Sequence, residues 1–235
     1  MTSFEIGRKA RELQLQVWEQ RASLWPDGEP HPLDALDPSI AAQVLGIDFQ
    51  YFEELRFDLS ENRYETAGLL DRPKRKIAIA RRFGAEVMRF TGAHELGHWV
   101  LHPNDVTLHR DRPIKGLEGQ ERDLKEKEAD YFAACFLMPA KLVTRLFRSM
   151  FITNNPFDDE QPLSFVFDDA TTFYLRPNDP GSLLRPRADS YDRELTLATA
   201  RSFSGKHFEK SLAQLFKVSV ATMAIRIREL RLIRE

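Results

Sequence analysis

The stretch Arg89-Phe-Thr-Gly-Ala-His94-Glu95-Leu-Gly97-His98-Trp-Val-Leu-His102 decides how this chain is read. Its composition and spacing predict a helix from about Ala85 to His102. His94 and His98 are four residues apart, which puts both imidazoles on one helix face, one turn apart. Two such rings can hold a single metal ion from the same side. Glu95 follows the first histidine and points around the helix, near enough to a water on the metal to take its proton. Water must lose a proton before it attacks an amide, and zinc lowers its pKa from about 15.7 to near 7.

The flanking residues Val87, Met88, Phe90, Leu96, Trp99, Val100 and Leu101 predict that this helix is buried. Two histidines without partners on a buried helix are costly, so a pair of purely structural core histidines is the weaker reading. Gly97 is a poor helix former. Its place between Leu96 and His98 points to a packing reason, or to an open side of the metal that no side chain crowds.

A tetrahedral catalytic zinc takes three protein ligands and keeps one position open. A second helix, predicted from about Gln120 to Met138 and stopped by Pro139, offers Glu121, Asp123, Glu126, Glu128 and Asp130. Glu126, Asp130, Ala133 and Leu137 fall on one face, and the small Ala133 allows close helix approach. Glu126 is therefore read as the third ligand, with Glu128 as the alternative. Asp130, one turn on, is read as the acceptor for the second ring N–H of a histidine ligand. His102 lies one turn beyond His98. It is read as an outer hydrogen-bonding or transition-state group, or as a structural residue at the helix end.

The run from Arg89 to His102, followed by Glu126-Lys-Glu-Ala-Asp130-Tyr-Phe-Ala-Ala-Cys135-Phe-Leu-Met-Pro139, resembles the ImmA/IrrE family of metallo-endopeptidases, closely over about residues 76–139. The resemblance implies an α+β fold: a mainly helical zincin-like domain with a small β-sheet. It implies His94, His98 and Glu126 as Zn2+ ligands and Glu95 as the catalytic base. It also implies a protein substrate, a bacterial or phage helix-turn-helix repressor whose cleavage switches on stress-response or mobile-element genes. Asp130 stands where the family more often has Asn, and Phe136 where Leu is usual.

Around this centre the chain is read as four parts: an N-terminal helical extension (1–35), the zinc metallopeptidase domain (36–147), a loop-rich insertion (148–193) and a helix-turn-helix-like C-terminal element (194–235). Residues 3–22 are helical by composition. Asp37 to Gly46 reads as a short capped helix closed by the glycine. Lys76–Ala80 is the clearest strand, residues 103–118 a loop, and Leu163–Phe167 and Thr171–Leu175 are candidate strands. In the last part, Lys217-Val218 is the turn between two helices and Ser219 the N-cap of the second. Leu212, Leu215, Val218, Met223, Ile227 and Leu230 would pack the pair. The second helix carries Arg226, Arg228, Arg231 and Arg234, and this supplies the alternative function: a DNA-binding regulator with a structural or regulatory metal site.

The 235 residues are 42% hydrophobic and 30% charged, which suits a folded domain. A net charge of −2 disfavours a general nucleic-acid binder. The single cysteine, Cys135, rules out a disulfide within the chain and fits a reducing compartment; among apolar neighbours it reads as a buried core residue, not a nucleophile. The first residues lack the pattern of a secretion signal, and no apolar run approaches the roughly 20 residues of a membrane span. A cytoplasmic protein with no membrane partner is expected. Tyr131 and Tyr174 are minor candidates for oxyanion donors, and His109 is expected in an exposed loop.

Overall fold

Helix α1 (Ser3–Glu19) begins at a capping box, in which the Thr2 hydroxyl accepts from Glu5 N and the Glu5 carboxylate accepts from Thr2 N. The computed structural model of the chain describes residues 1–59, 62–105, 109–111, 123–151 and 190–233. These are mainly helical with a small sheet. They fall into two units, Met1–Leu137 and Met138–Glu235.

In the first unit, α1 buries Ile6, Ala10, Leu13 and Val17, spaced by four, three and four residues along one face. A one-turn helix, α2 (Arg21–Leu24), follows, and then α3 (Pro38–Val44). As the sequence predicts, Asp37 caps α3 by accepting from Ser39 N at 2.9 Å, and Gly46 leaves it with a φ of 65°, a conformation glycine adopts without steric cost. The other Asp37 oxygen accepts from Arg89 Nη1 at 3.0 Å, and Arg89 Nη2 donates to the Leu36 carbonyl at 2.7 Å. Burial pulls the Arg89 guanidinium below its usual pKa, and Asp37 opposes that shift.

Strands β1 (Asp48–Phe52), β4 (Gly68–Asp71), β5 (Lys76–Ala80) and β6 (His109–Asp111) form a sheet of order β1-β5-β4-β6. Between β1 and β4, β2 (Arg56–Leu59) and β3 (Asn62–Glu65) pair as an antiparallel ribbon. β1 runs parallel to β5, with Phe49 opposite Ile77; β4 runs antiparallel to β5 and to β6, with Gly68 opposite Ile79 and Asp111. Ile77, Ala78, Ile79 and Ala80 are all buried, as in an interior strand covered on both faces. β6 is a departure from the expected loop over 103–118.

Helix α4 (Ala85–Leu101) packs on β4 and β5 and against α5 (Leu124–Leu137), which also meets α1. Gln14 on α1 donates to the carbonyls of Cys135 and Phe136 at 3.0 and 2.8 Å, serving two of the acceptors that a helix end leaves without an internal partner. Burial along α4 differs from the expectation. Val87 is exposed, and the continuously buried run is Thr91 to His98. Small residues at Gly92, Ala93 and Gly97, more than large apolar ones, let this turn sink into the unit.

The second unit holds α6 (Ala140–Phe151), α7 (Ser190–Thr199), a short hairpin of β7 (Ser202–Phe203) and β8 (Lys206–His207), α8 (Leu212–Phe216) and α9 (Val220–Glu229). Phe147, Phe151 and Phe203 are buried and in ring contact through Phe151. Ser219 caps α9 by accepting from Thr222 N, and Lys217, with a φ of 54°, makes the turn before it. Leu212, Val218, Met223 and Ile227 are buried, while Leu215 and Leu230 are half-buried. The candidate strands at 163–167 and 171–175 lie outside the described residues, as does Tyr174.

Candidate metal centre

The buried turn of α4 brings its two histidines to face each other. The Nε2 atoms of His94 and His98 are 3.0 Å apart. Across from them, α5 presents Glu126, with Oε2 3.4 Å from His94 Nε2 and Oε1 3.4 Å from His98 Nε2. Tetrahedral ligands at 2.0–2.2 Å from a common zinc lie about 3.3 Å from one another. Each Glu126 oxygen lies at about this distance from one histidine and the two Nε2 atoms lie slightly closer, so the three side chains are grouped closely enough to share one metal ion. The histidines are 1% and 5% exposed at their side chains and Glu126 24%, so the imidazoles are buried and the carboxylate is the most exposed of the three.

His94 Nδ1 lies 2.9 Å from Asp130 Oδ1. A carboxylate accepts, so this contact favours a proton on Nδ1, and in the neutral ring that leaves the Nε2 lone pair available to a metal. Asp130 is one turn beyond Glu126 on α5, which is why one helix face supplies both contacts. Glu128 turns elsewhere: its Oε2 is 3.6 Å from His102 Nε2, and it does not join the group. His102 sits at the C-cap of α4, with its ring centroid 5.6 Å from that of His98.

Glu95 is fully buried. Its carboxylate lies against β4, where a side-chain carbon on Gly68 would come within 2.7 Å of Oε1. Gly97 has a packing role. A side-chain carbon there would meet the Ala129 carbonyl oxygen at 3.0 Å and Cα at 3.1 Å, so its absence sets how near α5 comes to α4. Two contributors were not singled out in the sequence. One is Gly68, whose signal is an isolated glycine inside a strand. The other is Arg72, which donates from Nη2 to the His98 carbonyl and stacks over Trp99 at 4.9 Å. It thereby supplies a cation to the carbonyl end of the histidine helix. Burial lowers the Arg72 pKa, which Asp105 partly offsets.

Cys135 is buried. Tyr131 is half-buried. The backbone of His109 belongs to β6. Among the described residues, no helix is long and apolar enough to cross a membrane, and the only group of three or more His, Cys, Asp or Glu side chains spaced to share a metal is His94, His98 and Glu126.

Residues 42–155 match a peptidase family model described as the IrrE N-terminal-like domain. No curated protein matches the chain.

Proposed function

With residues 42–155 belonging to the IrrE N-terminal-like peptidase family, we propose that this protein is a zinc-dependent endopeptidase that cuts a helix-turn-helix transcriptional repressor and so relieves repression. The observation that carries the catalytic part is the close grouping of His94, His98 and Glu126, with the two Nε2 atoms 3.0 Å apart and each Glu126 oxygen 3.4 Å from one of them, beside a fully buried glutamate. The repressor as substrate rests on the family resemblance of the 89–139 motifs.

His94, His98 and Glu126 would hold the metal through Nε2, Nε2 and the carboxylate, and Asp130 would keep His94 oriented through Nδ1–H. A zinc ion so held supplies Lewis acidity and makes water more acidic. Glu95 serves as general base. Its carboxylate takes a proton from the attacking water and returns it to the departing amine nitrogen as the peptide C–N bond breaks. It is buried, with Oε1 lying against the bare backbone of Gly68 on β4.

The alternative, DNA recognition by residues 194–235, draws less support from the last helix. Arg226 is buried, donating from Nε to the Met138 carbonyl at 3.0 Å and pairing with Glu229 at 2.9 Å. Arg228 pairs through two nitrogens with Glu194. Of the four arginines that suggested a DNA-reading helix, Arg226 is held inside the unit and Arg228, about half exposed, is engaged by Glu194.

The test is coexpression with candidate helix-turn-helix repressors, using wild type and Glu95→Gln, alongside metal analysis of both. The expected result is repressor fragments with wild type only, and about one zinc per chain in both proteins. Cleavage retained by Glu95→Gln removes the base from Glu95.

A further inference from the structure

We propose that Gly68 is a positioning residue for Glu95: bare backbone at this point of β4 forms the seat that fixes the carboxylate. The inference rests on the metallopeptidase reading above. A side-chain carbon on Gly68 would lie 2.5 Å from Thr91 Cγ2, 2.7 Å from Glu95 Oε1 and 3.2 Å from Glu95 Cγ. Thr91 and Glu95 are four apart on α4, so β4 crosses directly over the turn that carries the base. Both partners are buried, Thr91 being 4% exposed and Glu95 0%, so a methyl group here cannot be accommodated in solvent. The strand is also held, because Gly68 is in register with Ile79 on one side and Asp111 on the other.

The two neighbours differ in how they can respond to a methyl group at residue 68. Thr91 is β-branched, and its χ1 is restricted within a helix. Glu95 has three rotatable bonds and ends in the atom that would be touched. The carboxylate is the group that must give way, and a displacement of about 1 Å in a reacting group can lower a rate about a hundredfold. A glycine kept only for strand–helix packing would act through Thr91 as well as Glu95. One kept for the base affects ligand binding at the metal through Glu95 alone, whatever it costs in stability through Thr91, and this difference can be measured.

The experiment uses the full chain loaded with Zn2+ and acetohydroxamic acid as probe, a small metal-binding acid that also hydrogen-bonds a neighbouring carboxylate. Gly68→Ala is expected to weaken acetohydroxamate binding about tenfold or more, since each 1.4 kcal/mol is a factor of ten, while zinc affinity against a chromophoric chelator stays within about threefold. Gly68→Ala/Glu95→Gln should bind the probe no worse than Glu95→Gln alone, because two changes to one interaction are not additive. Gly68→Ala/Thr91→Ser, which removes the methyl met at 2.5 Å, should regain thermal stability but not probe binding. Wild-type probe binding in that double variant overturns the proposal, as does a further loss in the Glu95→Gln background. If the wild type binds no zinc, the metal reading itself falls and the positioning role falls with it.

Discussion

Gly97 of α4 lies against Ala129 of α5 so closely that a side-chain carbon on residue 97 would sit 3.0 Å from the Ala129 carbonyl oxygen and 3.1 Å from its Cα. Ala129 is three residues from Glu126, on the same side of α5. The contact therefore sets the distance at which the glutamate meets His94 and His98. Two effects oppose each other in Gly97→Ala. Alanine favours the helix by about 1 kcal/mol. Pressing a methyl group into backbone atoms costs about 1–3 kcal/mol. Because the opposing atoms are main chain, the helices must separate, and overpacking wins. The variant is expected to show lower thermal stability and about tenfold weaker zinc binding in chelator competition. A folded Gly97→Ala protein with unchanged zinc affinity would show that this contact does not govern the metal site.

Asp130 acts on the site through His94 Nδ1, 2.9 Å away. Asp130→Asn keeps a carbonyl oxygen that can accept the same N–H, so its effect on metal affinity should be small. Asp130→Ala leaves the ring without that acceptor and removes the preference for the tautomer with a free Nε2. Loss of such a partner typically weakens metal binding about 10- to 100-fold. The expected order of zinc affinity is wild type, then Asn, then Ala. Equal affinities for Ala and wild type would rule the hydrogen bond out as an orienting contact.

The centre was legible because its chemistry is written in short spacings. His94 and His98 differ by four, Glu126 and Asp130 by four, and helical geometry turns each pair into a shared face. Contacts between elements were harder to read. The buried face of α1 contains Ala10 between Ile6 and Leu13, and an alanine does not stand out in a hydrophobic pattern, whereas Phe4 and Leu15 do and are exposed. Large apolar residues marked α4 as buried, yet its deepest turn is lined by glycine and alanine because a sheet and a second helix approach it there. β1, β4 and β6 each pair with a strand distant in sequence, and local alternation reports no such partner. Gly68 meets Thr91 and Glu95 only because α4 runs beneath it.

Asp105, just after α4, and Lys125, in the first turn of α5, give a pH dependence of known sign. Lys125 Nζ donates to both Asp105 oxygens at 2.8 and 2.9 Å. That hydrogen bond is the main cause holding Asp105 below its ordinary value of 3.8, and it raises Lys125 above 10.5. For the depressed carboxyl, the stabilisation is present above 3.8 and is lost as the pH falls through the lowered value. For the raised ammonium, it is present below 10.5 and is lost as the pH rises past the folded value. Both groups face solvent, so the contribution is small and screened by salt. Asp105→Asn in the metal-free protein is expected to lower the Tm slightly at neutral pH. The gap to wild type should close in acid below pH 3.8 and shrink in high salt. A gap that persists unchanged in acid would assign it to something other than this pair.

Arg226 provides the test of what the last helix does. Its side chain is 4% exposed; it joins α9 to the Met138 carbonyl and pairs with Glu229 on the same helix. Arg226→Leu keeps an apolar stem of similar reach but leaves the Met138 carbonyl without that donor. A buried polar group that loses its partner costs about 1–3 kcal/mol, and the charge on Glu229, one third exposed, would turn to water. Unfolding by denaturant should therefore show a lower midpoint with little change in slope. If the arginine instead served an anionic partner, Arg226→Leu would leave stability unchanged and abolish binding to a DNA duplex. Loss of stability, without a salt-dependent duplex affinity in the wild type to lose, identifies Arg226 as a strut of the second unit.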